Sequence, residues 1–448
     1  MDMQSARWRE AAGHVAGLPA REEFVIRGGH VMTMADGMDD LPDADVHVRD
    51  GALVAIGRGL CVPGARELDA RGMIVMPGFV DTHWHLWNCS LRALISGDDA
   101  ARGYFPVTLS MGPRFTPDDS YHSVRLGLAE GLAGGITTVH NWSHNTRTPD
   151  HARAELAAMR SLGIRGRLAY GWGQDLPLDR AMDLAGLAEV ARAESGDPMI
   201  HLGAALRTPV SNPRGTAPID VVRTEFAGVR RLGLPITMHA RPGVVSVLDA
   251  HGLLGPDLQL VHPQGVSPAE QRRLAACGVS FSCSPVIEVL YAQASRGVIQ
   301  FHELECACVR QSLSVDSSSA SANADFFSCM RTLLWSHRQR FGAEVPLTAR
   351  RLLRLATLDG ARDLGIADRV GSLEAGKRAD VILVRTTDLN MAPVVDPAFS
   401  LVYSAQPANV DTVIVDGRVL RRHGQWTACD PAQIVRDAAQ SVRELAAR

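Results

Sequence analysis

Between residues 78 and 316, eight short apolar runs of β character alternate with stretches of helical character, and this alternation restricts the fold more than anything else in the chain. The runs cover 78–85, 137–141, 166–172, 199–207, 235–239, 258–262, 279–283 and 312–316. Strands joined through helices pair in parallel, and eight of them over this length predict a closed (β/α)8 TIM barrel. The clearest helix signal is Thr116-Pro-Asp-Asp119, which offers an N-cap, a proline at the first helical position and an acidic third residue, running through Leu126 and Leu132 to Gly134-Gly135.

The flanks read differently. Short β runs at 24–26, 30–34, 45–48 and 53–56 are broken by Gly28-Gly29 and Asp50-Gly51, both two-residue hairpin signals, and the same texture returns at 380–384 and 412–415, where Asp416-Gly417 turns into 418–420. The expected organisation is an N-terminal extension (1–22), the first half of a small β-sandwich (23–76), the barrel (77–368), and the second half of the sandwich with a C-terminal helix (369–448). Residues 5–15, which include Trp8, read as a short amphipathic helix or a frayed end.

Barrels of this kind carry their chemistry where the strands end. His85 closes the first run, His239 the fifth, His262 the sixth and Asp316 the eighth. His83 and His85 lie two apart in a strand, so they share a face and can grip one metal ion, while Trp84 between them points into packing. Taken singly, each histidine also fits a hydrogen-bonded core position. His201, in the middle of the fourth run, reads as structural.

With 448 residues and 46% hydrophobic content the chain can bury a large core. A formal net charge of -3 without a clustered basic face argues against nucleic acid or an anionic membrane as partner, leaving a small molecule. No run of about 18 apolar residues and no basic-then-apolar leader is present, so a soluble, cytoplasmic protein is expected. The eight cysteines include no Cys-x-x-Cys pair and read as reduced.

The segments Pro77-Gly-Phe-Val-Asp-Thr-His-Trp-His85, Gly135-Ile-Thr-Thr-Val139, Pro235-Ile-Thr-Met-His239, Leu260-Val-His262, Ser314-Val-Asp316 and Val370-Gly-Ser-Leu-Glu-Ala-Gly-Lys-Arg-Ala-Asp-Val-Ile-Leu383 together resemble the amidohydrolase superfamily, in its cytosine deaminase and chlorohydrolase branch. The resemblance spans nearly the whole chain. It implies one divalent metal ion held by His83, His85, His239 and Asp316, with His262 against the attacking water or the reacting oxygen and Asp316 also taking the water's proton. Three imidazoles and a carboxylate suit Zn2+, with Fe2+ or Mn2+ as alternatives. The resemblance further implies a homodimer.

Two departures shape the expected chemistry. Binuclear relatives bridge their metals with a carboxylated lysine on the fourth strand, but the single lysine here is Lys377, far from that strand, which favours a mononuclear site and removes Schiff-base chemistry from the barrel. Deaminases of the branch carry a glutamate three residues after the fifth-strand histidine, where this chain has Pro242, so deamination of standard nucleobases is put in doubt. Glu288 is the candidate replacement acid, or else an ordinary surface glutamate. Arg207 and Arg241 are candidate carboxylate clamps, with structural salt bridges as the alternative. Trp87, Asn141 and His144 are candidates for a pocket wall facing a planar, heterocyclic or aromatic ligand.

The expected reaction is hydrolysis of a C–N bond at an sp2 carbon, either deamination or opening of a cyclic amide or amidine, on a small substrate other than a standard nucleobase. Expulsion of halide or thiol from the same site, and an inactive barrel used as a binding scaffold, stand as alternatives.

Overall fold

The computed structural model describes residues 8–10, 17–211, 215–291, 298–321 and 323–448. Most of the 5–15 segment lies outside these residues. Of the part described, Trp8 is buried and its backbone N–H donates to Asp118 at 2.9 Å.

Eight parallel strands form the barrel: β1 (Phe79–Trp84), β2 (Ile136–Ser143), β3 (Arg165–Tyr170), β4 (Ile200–Leu206), β5 (Ile236–His239), β6 (Leu258–Val261), β7 (Ser280–Cys283) and β8 (Arg310–Leu313). Each lies beside its sequence neighbour. The ring closes through backbone bonds rather than a full ladder: the His85 N–H donates to the Asp316 carbonyl at 2.7 Å, and the Asp316 N–H to the His83 carbonyl at 2.9 Å.

Five strands end short of the expected positions, β1, β4 and β6 by one residue, β3 by two and β8 by three. β6 stops before His262 and β8 ends at Leu313, because His262 (φ 71°) and Asp316 (φ 66°) adopt left-handed backbone that a strand does not contain. Both residues still sit at the strands' carboxyl mouth.

The helices used below are α1 (Tyr104–Met111), α2 (Pro117–Ala133), α3 (Pro149–Ser161), α4 (Ile219–Arg231), α5 (Pro285–Leu290) and α6 (Pro431–Ala447). α2 begins with the expected capping box: Thr116 Oγ1 accepts from the Asp119 N–H while the Asp119 side chain accepts from the Thr116 N–H. Trp84 is fully buried against Gly131 of α2, where an added Cβ would lie 2.8 Å from the indole ring, so only glycine admits this approach.

The second sheet, nine-stranded among the described residues, draws on both flanks of the barrel: Phe24–Val31, Leu41–Arg49, Ala52–Gly57, Arg66–Asp69 and Met73–Pro77 from one side, and Val381–Arg385, Val410–Val415, Arg418–Arg422 and Gln425–Trp426 from the other. Alternation splits its faces. Ile74, Met76, Ile382 and Val384 join the barrel's core, while Val75, Val381 and Leu383 belong to a separate core with Phe24, Ile26 and Val46. Asp50-Gly51 and Asp416-Gly417 are the expected hairpin turns, both with positive φ throughout. Gly28-Gly29 is not one. It is an irregularity within the single strand Phe24–Val31, where the pairing shifts register and a Cβ on Gly29 would strike Val75.

Barrel and sheet are tied by a buried ion cluster. Arg165 of β3 donates to both Asp380 oxygens at 2.6 and 3.1 Å and to Asp416 at 3.3 Å. Among the described residues no helix is long and apolar enough to cross a membrane, and all eight cysteines are free, three buried, two half-buried and three exposed.

Candidate active site

One donor atom from each of His83, His85, His239 and Asp316 lies within 4.8 Å of all the others at the carboxyl mouth of the barrel. His83 Nε2 and His85 Nε2 stand 3.2 and 3.3 Å from Asp316 Oδ1, and the rings of His83 and His239 are 5.0 Å apart, edge to face. The fit to a metal can be tested on His83 itself. Both of its ring nitrogens are buried and neither has a hydrogen-bond partner, a cost a folded core avoids unless a ligand satisfies the group. His85 Nδ1 donates to the Trp142 carbonyl at 2.9 Å, which leaves the Nε2 lone pair aimed at the cluster. Burial, with the neighbouring His83 ring, takes His85 down to about 3, and burial likewise holds His239 well below its usual range, so both rings stay neutral and ligand-competent. Burial works to raise the Asp316 carboxyl, but the close approach of the His83 ring, with the His262 and His85 rings beside it, outweighs burial and keeps Asp316 ionised. The residues therefore fit one divalent ion.

Above the cluster opens a cavity of about 310 Å³ with aromatic and aliphatic walls, Tyr104, Phe105, Trp172, Leu206, Ile287 and Tyr291 among them. His85, His239, His262 and Asp316 form its floor, and His144, Arg207 and Arg241 also line it.

Three candidate residues sit elsewhere. Asn141 faces outward: along β2 the side chains of His140 and Trp142 turn inside the barrel, while Asn141 and Ser143 bond Glu155 of α3, both at 2.7 Å. Trp87 is fully buried behind the wall, where its indole N–H donates to His144 Nδ1 at 2.6 Å. Glu288, on α5, is buried and off the cavity, its Oε1 lying 3.3 Å from His262 Nδ1 and accepting the Ser284 N–H at 2.8 Å. Arg207 lines the cavity but commits its guanidinium to Glu225 of α4 and to the carbonyls of Pro177 and Arg180. This is the salt-bridge alternative.

Compared with known proteins, the chain matches the amidohydrolase family over residues 74–195 and 236–420. The chain belongs to the amidohydrolase family. A 5′-deoxyadenosine deaminase from Methanosarcina mazei is 26% identical, covering 95% of this chain and 99% of that one, and a 5-methylthioadenosine/S-adenosylhomocysteine deaminase from Desulforudis audaxviator is 28% identical over 94% and 99%. Among solved structures, a zinc-bound adenosine deaminase from Xanthomonas campestris superposes with a TM-score of 0.81 at 24% identity (96% of this chain, 100% of that one), and a zinc-complexed atrazine chlorohydrolase from Arthrobacter aurescens TC1 with 0.79 at 23% (94% and 100%). These likenesses establish the barrel-and-sheet fold. The amidohydrolase is thus an enzyme for C–N bonds other than peptide bonds, and the scaffold alternative is set aside.

In this amidohydrolase, His144 stacks on the His85 ring (4.0 Å, 14°) and is held at both nitrogens. An indole N–H only donates, so Nδ1 is the acceptor and Nε2 carries the proton; the Gln174 amide, 3.0 Å from Nε2, must then turn its oxygen toward it. Sequence reading missed Gln174 and Tyr104. Trp142 carried a signal in the β2 alternation, since its ring packs against His83, His85 and His239. Tyr104 and Gln174 lie in stretches after β1 and β3 that have no period to read.

Proposed function

We propose that this amidohydrolase uses one zinc ion, held by His83, His85, His239 and Asp316, to hydrolyse a C–N bond of a small planar nitrogen heterocycle. The observation that carries the proposal is the convergence of those four donors, three of them buried and His83 unsatisfied, where His85, His239 and Asp316 floor an aromatic-walled cavity. When bound, a divalent ion lowers the pKa of water toward about 7 and polarises the group attacked. The chain's own residues do the rest. Glu288 accepts from His262 Nδ1, which leaves the Nε2 lone pair, 3.6 Å from Asp316 Oδ2, to take a hydrogen bond from the attacking water and fix its direction. Asp316, the one carboxylate among the described lining residues, takes the water's proton and returns it to the departing nitrogen. The aromatic walls hold the ring over the floor, and Arg241 favours substrates bearing an anionic substituent.

Two leaving groups are argued for. The names of the relatives favour an exocyclic amine of an adenosine-type compound. Pro242, together with the single carboxylate of the wall, favours the ring amide of a cyclic amide or amidine, which needs no acid at a ring nitrogen. Zinc-, iron- and manganese-loaded protein assayed for ammonia, ring-opened product and chloride against 5′-deoxyadenosine, methylthioadenosine, hydantoins, dihydropyrimidines and chlorotriazines separates these readings. Absence of metal-dependent hydrolysis across the panel refutes the proposal. A homodimer in the cytoplasm is proposed with it, and light scattering checks the dimer.

A further inference from the structure

With Asp316 the sole acid among the described residues of the cavity wall, a second hydrogen-bond donor to the reacting atoms has to be a neutral or cationic group. Tyr104, the first residue of α1, shares that wall with Asp316 and Ser317. Its hydroxyl oxygen accepts an N–H from Asn88 Nδ2 at 2.9 Å. Asn88 is fully buried and its amide is pinned, because Oδ1 accepts from Ser317 Oγ at 3.2 Å and from Ser319 Oγ at 2.9 Å. Its NH2 group therefore faces the phenol. A phenol oxygen that accepts from an amide must send its own hydrogen elsewhere, and the cavity that Tyr104 lines is where a ligand can receive it. Burial first, and the nearby Asp316 charge second, push the Tyr104 phenol far above its usual range, so the group keeps its proton.

We propose that Tyr104 is a further catalytic residue whose O–H donates a hydrogen bond to the heteroatom flanking the attacked carbon. The bond strengthens as negative charge grows on that atom, a ring nitrogen or an amide oxygen, and the proton stays on Tyr104, so no bond is made or broken at the phenol. The assignment rests on the hydrolase reading and narrows the substrate to a ring whose reacting carbon carries an in-plane acceptor.

Two variants of the zinc-loaded, full-length enzyme test it on whichever compound of the panel the wild type hydrolyses. Tyr104→Phe keeps the ring and should lower kcat about 100-fold, the size of one lost preorganised donor, with KM moved by less than about threefold and zinc content unchanged. Asn88→Asp is close to isosteric and should reproduce that loss with the phenol still in place, because a carboxylate at position 88 accepts the Tyr104 hydrogen and turns it away from the cavity. Should Tyr104→Phe melt early, Asn88→Asp carries the test. Both variants within about threefold of the wild-type kcat, or a loss confined to KM, overturn the assignment and leave the hydrolase reading standing. A wild type that hydrolyses nothing in the panel defeats the hydrolase reading itself, and the assignment falls with it.

Discussion

Replacing Glu288 probes how the catalytic floor is held, because this carboxylate touches His262 without touching the cavity. Three groups converge on it: His262 Nδ1 at 3.3 Å, the Ser284 N–H at 2.8 Å and the Cys283 thiol at 3.1 Å. Glu288→Ala strands the first two in a buried site at about 1–3 kcal/mol each, so a loss of about 2–6 kcal/mol in stability is expected before any repacking. Glu288→Gln keeps a carbonyl oxygen for both donors and gives up only the charge, and its stability cost should stay near or below about 1 kcal/mol. Activity should follow the same order. Partners that orient site residues from behind are worth on the order of 10–100-fold, so the glutamine variant should lose about 10-fold in kcat and the alanine variant about 100-fold. KM should barely move, since Glu288 does not itself line the cavity, and metal content should stay at one equivalent, since His262 is not among the four donors. Steady-state kinetics, elemental analysis and thermal melting on the same preparations decide the matter. An alanine variant with full kcat, or one whose loss appears entirely in KM, refutes the idea that Glu288 sets the direction of His262.

Chelation followed by dialysis should abolish activity and lower the melting temperature, with zinc restoring both. Full occupancy at a thousandfold excess over Kd is worth about 4 kcal/mol, and an unchanged melting curve would mean the four donors hold no ion. Glu155 of α3 is fully buried and pushed up to about 7 from its ordinary 4.5, chiefly by burial. The folded state therefore holds this proton more tightly than the unfolded chain does: stability is full below pH 4.5 and falls as the pH rises through 7, by about 3 kcal/mol in all. Glu155→Gln should erase that slope, melting above the wild type at pH 8 and level with it at pH 4.5, and equal slopes in chemical denaturation would contradict this. Arg165→Met leaves Asp380 without its buried ion-pair partner, while Asp416 keeps Arg21 and Arg378, and should destabilise the barrel-to-sheet junction by about 3–5 kcal/mol, read from denaturant midpoints.

Legibility in the sequence followed the range over which each feature is decided. The barrel strands could be read because their apolar runs and flanking turn residues are local, and the histidines that converge at the barrel mouth because His83 and His85 lie two apart at the end of β1 while β5 ends on His239. The errors have the same origin. Trp87 and His144 were both assigned to the pocket wall, yet only His144 reaches it, and nothing local distinguishes a ring in the wall from one that braces the wall from behind. Asn141 was misplaced by parity alone. β2 begins at Ile136, one residue earlier than expected, but what decides its face is the Glu155 carboxylate waiting on α3, and strand alternation only says that Asn141 and Ser143 share a side. Glu288 was picked for the right neighbourhood and the wrong partner, since α5 starts at Pro285 and turns the carboxylate toward the back of His262.

The backbone at the two floor residues shows why a periodic reading stops where the chemistry starts. His262 and Asp316 both hold positive φ without being glycine, a conformation that costs roughly 1–3 kcal/mol and persists only where the surroundings impose it. At Asp316 what imposes it is on view: its N–H and C=O are spent on His83 and His85 to close the barrel, and in reaching them the chain leaves the strand direction and swings the carboxylate between the same two histidines. Barrel closure and the placing of this carboxylate among the histidines are thus one geometric event. A substitution that relieved the strain by returning residue 316 to extended backbone would open the β1–β8 seam and withdraw the carboxylate from the histidines together.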